Sequence, residues 1–477
     1  MTTQNSAPPA NVAAPADAIS KQEAGLARQL STRQMTMIAI GGAIGTGLFL
    51  GSGLAVREAG PGVILTYVMG AGVALLLVGA LAEMAVAHPA AGSFGVYAEL
   101  YVSRWAGFTV RYTYWAAQSI AIGGEATAVA IYCGWWFPQV PQWVWIVGFS
   151  SALVYVNARS VGAFGEFEYW FALIKVVAIL LFICFGAWLL AGLESGGRST
   201  SSHFTSDGGF LPMGMAGVWR ALCFVIFSFI GSEIIAVTAG EARDPATAVP
   251  RAMRSMLGRL TLFYIGAITV LVGVVPWNRI QASGSVTASP FVTVFHLIGI
   301  PAATHAMNFV VVTAALSSMN TNLYLATRMI FSLARGGYAP AGLGRVNARG
   351  APVPALLVTA AGLAVATVVN LLSPHGAYVL LFGVALFGGL FVWLMVFVTH
   401  LRFRLAWERG GGARLPVRMI GYPYTSLLGA GLLVAILVTT WWVGGMRPTL
   451  LAGLPWLGVV TAAYWIWGRR KGAGMAG

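Results

Sequence analysis

The sequence predicts an all-α membrane protein with twelve transmembrane helices, and three observations support this fold class. The chain has 477 residues, of which 58% are apolar and only 9% are charged, whereas about 25% of residues in a soluble protein are charged. Apolar runs long enough to cross a bilayer as helices recur along the chain. The alternation of apolar and polar residues that is typical of transmembrane β-barrels is absent.

The apolar runs predict twelve spans, numbered 1 to 12 in chain order. Residues 1–33 precede them, are too polar for a signal peptide and are predicted to form a disordered tail. The longest outer loop, 193–213, is rich in Gly and Ser and is interpreted as a flexible connector. The predicted spans cover residues 34–56, 62–86, 107–132, 142–158, 168–192, 214–240, 259–277, 303–334, 353–373, 376–400, 421–443 and 449–468.

The basic residues orient these spans. The chain carries a net charge of +14, which by itself would suit nucleic acid or an anionic surface. If the N-terminus is cytoplasmic, however, most Lys and Arg lie on the cytoplasmic side. This is the positive-inside bias, so both termini are predicted to be cytoplasmic, and membrane insertion rather than nucleic-acid binding explains the charge. The outer arginines are then Arg57, Arg198, Arg220, Arg279 and Arg447.

Two spans are interrupted by residues that weaken helices. Span 1 contains "IAIGGAIGTGLFLGSG" (Ile38–Gly53), with six glycines, and each glycine weakens a helix by roughly 1 kcal/mol relative to alanine. Span 6, "FVIFSFIGSEIIAVTAGEA", has a Gly-Ser interruption followed by Glu233. One interpretation is close helix packing through small residues. The other is a pair of inverted repeats, 34–192 and 214–401, followed by spans 11 and 12 in 421–468, with discontinuous helices at the bilayer midplane.

Broken helices inside a membrane expose backbone groups that a cavity or ligand must satisfy. N–H groups at the span 1 break suit a carboxylate, because a helix N-terminus carries a partial positive charge. Carbonyls at the span 6 break suit an ammonium. One site that binds both charges fits a zwitterion such as an α-amino acid. The predicted carboxylate-binding residues are Ala43, Ile44, Gly45, Thr46 and Gly47, and the predicted amino-binding residues are Phe227, Ser228 and Ile230.

The interrupted segments "GGAIGTGLFLGSG" and "FSFIGSEIIAVTAGEARDP" belong to a set of sequence blocks that carry a family resemblance. These blocks resemble bacterial amino-acid permeases of the amino acid–polyamine–organocation superfamily, in the branch that holds aromatic, proline, lysine and 4-aminobutyrate permeases. The resemblance implies a LeuT-type fold and proton-coupled amino-acid uptake across the inner membrane. The sequence has no Walker loop and no metal-ligand spacing, so no cofactor, metal ion or enzymatic activity is expected. The blocks include "GGAIGTGLFLGSG", "AEMAVAHPAAGSF", "GEFEYWFALIK", "FSFIGSEIIAVTAGEARDP" and "TAALSSMNTNLYLATRMIFSLARGGYAP".

Lys175, about seven residues into span 5, has two interpretations. Its side chain can snorkel to the cytoplasmic interface. Alternatively it carries the coupling proton, because desolvation disfavours a charged amine and lets it exchange protons near neutral pH. The resemblance favours coupling, since a lysine at the matching position of proton-coupled relatives occupies the place of a coupling sodium ion. It further implies that Lys175 lies beside the span 1 break, near Ser317 and Ser318 of span 8.

Four carboxylates fall within or at the ends of spans, where ionisable groups are costly and usually functional. The resemblance makes Glu233 a gating residue, although a plain helix cap also fits its position. Glu125 in span 3 is predicted to face the substrate side-chain pocket, or else to be hydrogen-bonded within the bundle. Glu83 and Glu241 are either ordinary interface residues or, by resemblance, gating residues that pair with arginines.

Trp115, Phe229 and Phe227 are candidates for the wall of the substrate pocket, although most aromatic residues in a membrane protein serve packing or the interface belt. "VRYTYW" departs from the Gly-Trp-x-Tyr-Trp of the family branch. Its Arg111 is interpreted as an interface arginine whose head group snorkels, or as the partner of a lipid phosphate or of an inner-gate carboxylate.

The sequence therefore predicts a secondary transporter that imports an amino acid by proton symport. A neutral or aromatic substrate is the first choice, because the surroundings of the predicted site are apolar. The alternatives are an amino-acid exchanger, a permease for basic amino acids or 4-aminobutyrate, a substrate sensor and a channel. The expected partners are the amino acid, the proton and the lipid bilayer, and the sequence gives no oligomeric state.

Overall fold

The computed structural model of the chain describes residues 30–90, 92–159, 161–192, 201–241, 245–282, 289–372, 377–410, 415 and 417–468. The regular elements within these ranges are helices. In chain order they are α1 (Thr32–Ala43), α2 (Thr46–Phe49), α3 (Gly51–Ala59), α4 (Val63–Ala87), α5 (Ser93–Tyr101), α6 (Arg104–Trp136), α7 (Gln142–Arg159), α8 (Val161–Leu190), α9 (Gly214–Val225), α10 (Ile234–Thr238), α11 (Pro245–Val274), α12 (Trp277–Ala282), α13 (Pro290–Ile298), α14 (Pro301–Arg335), α15 (Val353–Leu372), α16 (Ala377–Arg409), α17 (Tyr424–Thr439) and α18 (Pro448–Ala463).

The helices agree with the predicted all-α fold class. Seven helical stretches among the described residues are long and apolar enough to cross a membrane, as a multi-pass membrane protein requires. Each of the twelve predicted spans overlaps at least one helix, and spans 1 and 6 are the two that the structure divides, into α1–α3 and α9–α10. The complete twelve-span topology and its inverted repeat stay predictions.

The first helix begins slightly earlier than the sequence suggested. Ser31 caps α1: its hydroxyl accepts from the Gln34 N–H at 3.3 Å, and the Gln34 side chain accepts from the Ser31 N–H at 3.1 Å. Such a capping box satisfies two backbone donors that a helix start leaves unpaired. The predicted disordered tail therefore ends too late at residue 33, and its residues 1–29 lie outside the described part of the chain.

Several elements between spans were not predicted. Helix α5 lies between spans 2 and 3, and α12 and α13 lie between spans 7 and 8; all three are too short to stand out by hydropathy. The connector predicted as flexible is partly ordered, since the Trp277 indole donates to the Asp207 carbonyl at 3.2 Å. Its residues 193–200 are outside the described ranges.

The packing brings the two divided spans to the centre. Helix α6 is buried along most of its length and packs against α14, α15 and α16. Helix α1 contacts α8, α11 and α14. The short segments that follow each interruption, α2 and α10, are fully buried.

Candidate functional site

The two interruptions face each other across a close backbone contact. In span 1, Ile44 and Gly45 are not helical, and in span 6 Gly231 has a left-handed φ of 106°. A Cβ added to Gly231 would lie 2.7 Å from the Gly42 carbonyl oxygen, and one added to Gly47 would lie 2.9 Å from the Ser228 Cα. Glycine is therefore required at both positions, because any side chain there would push the breaks apart.

A tyrosine that the sequence analysis missed ties the two breaks together. The Tyr264 hydroxyl of α11 lies 2.7 Å from both the Ala43 carbonyl and the Ser228 carbonyl. A hydroxyl carries a single proton, so it donates to one carbonyl at a time. A tyrosine in an apolar span gives no sequence signal that separates such a role from packing.

The side chain of Lys175, from α8, lies at the C-terminal end of α1. Its fully buried ammonium donates to the Gly41 carbonyl, to the Ile44 carbonyl at 2.9 Å and to the Ser317 hydroxyl at 2.7 Å. These acceptors use all three N–H donors of the ammonium, and the partial negative charge of a helix C-terminus favours a cation there. The snorkelling interpretation is therefore wrong, and the predicted proximity to Ser317 is present.

Glu233 lies at the start of α10, directly after the second break. One carboxylate oxygen accepts from the Tyr114 hydroxyl at 2.6 Å, and the other accepts from the Gly231 N–H at 3.0 Å and the Trp393 indole at 3.2 Å. The carboxylate thus joins the interruption to α6 and α16. Its position suits a helix cap, and a gating role stays a prediction.

Glu125 lies beside the second half of span 1. The Ser318 hydroxyl donates to its carboxylate at 2.8 Å, and the same carboxylate oxygen lies 3.2 Å from the position of a Gly45 Cβ. The Thr46 N–H and hydroxyl also donate to this carboxylate. The structure therefore separates the two adjacent serines of span 8, because Ser317 contacts Lys175 whereas Ser318 contacts Glu125.

The backbone groups predicted to bind substrate are not all free. The Ile44 and Gly45 N–H groups donate to the Ile40 and Ala43 carbonyls, each at 3.1 Å. The Thr46 and Gly47 N–H groups begin α2, and the first N–H groups of a helix have no acceptor within it. The Thr46 N–H already donates to the Glu125 carboxylate, so the Gly47 N–H is the donor that the first break presents.

At the second break, two of the carbonyls predicted to bind the substrate amino group already accept a hydrogen bond. The Phe227 carbonyl accepts from the Ile230 N–H at 3.1 Å, while the Ser228 carbonyl faces Tyr264 at 2.7 Å. A carbonyl oxygen has two lone pairs, so each can accept a second hydrogen bond.

The aromatic candidates lie in two places. Phe229 packs edge-on against Tyr264 with ring centroids 4.9 Å apart, and Phe227 packs against Phe382 with centroids 4.1 Å apart. The Trp115 indole instead donates to Thr359 of α15 at 3.3 Å. Phe227 and Phe229 thus adjoin the breaks, whereas the contact of Trp115 is directed towards α15.

Two buried ion pairs involve the remaining predicted carboxylates. Glu241 pairs with Arg328 at 2.8 Å, and Glu83 pairs with Arg404 and contacts His400 at 3.0 Å. The arginine partners implied by the resemblance are therefore present. The gating role of the two carboxylates stays a prediction.

Arg111 departs from its predicted place at the interface. It is only 2% exposed, pairs with Glu99 of α5 and donates to the Ser332 hydroxyl at 3.0 Å. The snorkelling interpretation is wrong because the sequence did not reveal α5 and its carboxylate, whereas the alternative of a carboxylate partner agrees with the Glu99 pair. The Tyr338 hydroxyl also donates to Glu99, at 2.7 Å, and burial raises the pKa of this phenol, which keeps it a donor.

Glu168 is a buried acid that the sequence analysis did not single out. Its carboxylate accepts from the Ser317 hydroxyl and, at 3.1 Å, from the Asn320 side chain. It precedes Lys175 by two helical turns, so both side chains lie on the same face of α8. That spacing within "GEFEYWFALIK" is the signal that could have found it.

The chain is similar to known proteins over nearly its whole length. The family model for "Amino acid permease" matches residues 34–474. The chain belongs to the amino acid permease family. It is 38% identical over 440 residues to the aromatic amino acid transport protein AroP of Escherichia coli K12, covering 92% of this chain and 95% of the relative. It is 36% identical over 447 residues to the uncharacterized amino acid permease YtnA of Bacillus subtilis 168, covering 93% and 96%.

The coarse biological role follows from this membership. The chain is a multi-pass membrane protein that transports amino acids and is not an enzyme.

Proposed function

We propose that the protein imports a neutral or aromatic amino acid by proton symport across the inner membrane. The proposal includes the twelve-span LeuT-type arrangement with inverted repeats and both termini in the cytoplasm. The observation that carries it is the set of groups at the four helix ends that the two interruptions create. Lys175 and Glu233 lie at two of these ends, and Glu125 bonds to Thr46 at a third. The Gly47 N–H and the carbonyls at the fourth end are left to bind a solute.

The two compensated ends are the end of α1 and the start of α10. Lys175 donates to the carbonyls of the first, and Glu233 accepts from the Gly231 N–H before the second. The Gly47 N–H at the start of α2, beside the Thr46 that bonds to Glu125, and the carbonyls at 226–230 then remain. A helix end carries about half an elementary charge, so these two ends attract opposite charges. They suit the carboxylate and the ammonium of one amino acid.

The apolar walls beside these ends support a neutral or aromatic side chain. Phe227, Phe229 and Phe382 lie next to the second break, and aromatic rings stack favourably with centroids 4.5–7 Å apart. The Escherichia coli relative is named as an aromatic amino acid transport protein. Glu125 adds a carboxylate to the site, which keeps a basic side chain as the competing assignment.

The donor count at Lys175 supports proton coupling. The ammonium has three donors and faces three acceptors. A deprotonated amine has only two donors, and its hydrogen bonds lack the charge that roughly doubles their strength. Loss of the proton therefore loosens the hold of Lys175 on the first half of span 1, which lets that half move relative to α14 when substrate is released.

Uptake by the purified protein in liposomes tests the proposal. With an outside-acid pH gradient we expect accumulation of phenylalanine, tyrosine or tryptophan above equilibrium, with acidification of the lumen. Lysine and 4-aminobutyrate serve as competing substrates. Exchange of internal for external amino acid without proton movement would establish an exchanger instead, and conductance far above carrier turnover would establish a channel.

A substitution at the first break tests the site itself. A Cβ at Gly45 would lie 2.6 Å from the Ser318 hydroxyl and 3.2 Å from Glu125, so Gly45→Ala narrows the predicted carboxylate site. We expect its KM to rise roughly tenfold, the effect of about 1.4 kcal/mol. Gly53→Ala is the matched control, because its nearest neighbour would be at an ordinary 3.6 Å. Equal KM values for the two variants would contradict the assignment.

A further inference from the structure

A continuous hydrogen-bonded chain connects two buried ionisable groups on the same helix. The Lys175 ammonium donates to the Ser317 hydroxyl at 2.7 Å, and the Ser317 hydroxyl donates to the Glu168 carboxylate. Lys175 and Glu168 are both fully buried. An isolated buried carboxylate is costly unless it is paired and hydrogen-bonded, so this acid requires a reason to lie there.

The surroundings of Glu168 hold it in place without neutralising it. Asn320 donates to its second oxygen at 3.1 Å, and Asn157 of α7 donates to the Asn320 side-chain oxygen at 2.6 Å. A Cβ at Gly41 would lie 2.4 Å from a Glu168 oxygen, so α1 packs closely over the carboxylate. Among the described residues its neighbours are neutral donors, and its charge partner is Lys175 through Ser317.

We propose that Glu168 is a second proton-carrying residue and that Ser317 relays the coupling proton between Lys175 and Glu168. This inference rests on the proton symport proposed above and deepens it. When the relay runs, an N–H bond of Lys175 breaks and its proton binds the Ser317 oxygen. The Ser317 O–H bond breaks, and that proton binds Glu168. The ammonium becomes an amine, the carboxylate becomes a carboxylic acid and the hydroxyl is restored.

The relay explains how Lys175 loses its proton without exposing the broken helix. After transfer, the amine keeps two N–H donors for the Gly41 and Ile44 carbonyls and accepts a hydrogen bond from Ser317. Glu168 then donates to Ser317, so the chain is satisfied in both directions. Without the carboxylate, the proton on Lys175 would have no acceptor along this chain.

The position of Glu168 also gives the relay a direction. Glu168 precedes Lys175 by seven residues, or about 10 Å along α8. In the predicted orientation it lies between the amine and the cytoplasm. Among the described residues, the other charged group that acts on the amine is Glu125 of α6, which bonds to Ser318.

Glu168→Gln in liposomes tests the relay, with Glu166→Gln as the matched control because Glu166 is an exposed acid on the same helix. We expect Glu168→Gln to retain counterflow of amino acid while accumulation driven by the pH gradient, and proton movement per substrate, fall at least roughly tenfold, the loss that accompanies about 1.4 kcal/mol. Glu166→Gln should match the wild type in both assays.

Ser317 supplies a second, independent test that keeps both ionisable groups. Ser317→Ala should lose gradient-driven accumulation as Glu168→Gln does, and Ser317→Thr, which restores a hydroxyl, should recover much of it. If Glu168→Gln does not fold, this pair decides the question.

Two results would overturn the relay. One is wild-type accumulation by Glu168→Gln or Ser317→Ala. The other is an equal loss of counterflow and accumulation in these variants, which would indicate a structural role. A wild-type protein that fails to accumulate substrate under a pH gradient would instead refute the proposed symport itself.

Discussion

The two broken helices are compensated by opposite charges. At the first break the side chain is the donor: Lys175 gives hydrogen bonds to the Gly41 and Ile44 carbonyls. At the second break the side chain is the acceptor: Glu233 receives them from Tyr114, Gly231 and Trp393. Each charge opposes the partial charge of the helix end beside it.

This difference separates a break that can respond to protons from one that is fixed. Deprotonation of Lys175 removes one of three donors and the charge behind the other two, so the hold on α1 weakens. Glu233 receives its hydrogen bonds from three neutral donors, of the backbone and of α6 and α16, whereas Lys175 is linked through Ser317 to Glu168 and can pass its proton on. We therefore expect proton coupling at the first break and mechanical anchoring at the second.

Lys175→Met should have the largest effect on transport and stability, because it removes the ammonium that donates to the carbonyls of the first break. It leaves the Gly41 and Ile44 carbonyls and the Glu168 chain without their cation, and removing one partner of a buried charge pair costs about 3–5 kcal/mol. We expect gradient-driven accumulation to be abolished and the midpoint of thermal unfolding in detergent to fall. Uptake under an outside-acid gradient measures the first effect.

The control for this variant is Arg159→Met, which removes an exposed cation from the neighbouring α7. It should alter neither accumulation nor the melting temperature by more than a small amount. Accumulation by Lys175→Met at the wild-type level would refute the contrast between the two breaks, because the coupling group would then lie elsewhere.

Gly231→Ala would strain the second break at its backbone. A non-glycine residue in the left-handed region costs roughly 1–2 kcal/mol, and the added Cβ would meet the Gly42 carbonyl at 2.7 Å, an overpacking that costs about 1–3 kcal/mol more. We expect a lower melting temperature and slower transport of every substrate. Gly72→Ala, whose Cβ would meet nothing within 4 Å, should melt like the wild type; if both variants melt alike, the close contact of the breaks is wrong.

The sequence predicted the interruptions themselves but only part of what compensates them. Glycine clusters and an adjacent Glu233 are local signals, so the two divided helices appear where the pattern placed them. The partners of a buried charge depend on tertiary contacts between distant segments. Tyr264 therefore escaped notice, since a tyrosine within an apolar run has no distinctive spacing of its own. For Glu168, the seven-residue spacing from Lys175 was the only sequence signal.

The errors have the same origin. Arg111 was interpreted as a snorkelling residue because its partner, Glu99, lies on the short helix α5, which hydropathy does not reveal. Too many N–H groups of the first break were predicted to bind the substrate carboxylate. The Ile44 and Gly45 N–H groups instead donate to carbonyls of their own turn, which depends on backbone geometry that the sequence does not show. Amino-acid composition and the recurrence of apolar runs predict the fold class. The hydrogen-bond partners of a buried side chain depend on how distant segments pack, so the sequence does not reveal them.

Glu233→Gln would weaken the anchored break without changing its shape. The amide keeps an acceptor oxygen but presents an NH₂ group to one set of donors, and hydrogen bonds to a charged group contribute about 1.5–3 kcal/mol each. We expect a lower melting temperature and slower transport, with an unchanged number of protons moved per substrate. Proton movement beside substrate flux checks this, and a lost or altered stoichiometry would move coupling to the second break.

Tyr264→Phe would have the smallest effect and would probe the link between the breaks. The variant keeps the ring that packs against Phe229 and removes only the hydroxyl shared by the Ala43 and Ser228 carbonyls. A neutral hydrogen bond contributes about 0.5–1.5 kcal/mol, so transport should change by less than roughly tenfold. Trp115→Phe, which removes a polar contact directed towards α15, is the comparison.

The informative measurement is a double variant that combines Tyr264→Phe with Lys175→Met. If Tyr264 transmits the proton-dependent hold on α1 to the second break, the melting-temperature effects of the two changes will be less than additive, because coupled residues share an interaction energy. If the breaks act independently, the two effects will add. Additive effects would mean that Lys175 and Glu233 each stabilise their own break, and that Tyr264 does not couple the two breaks.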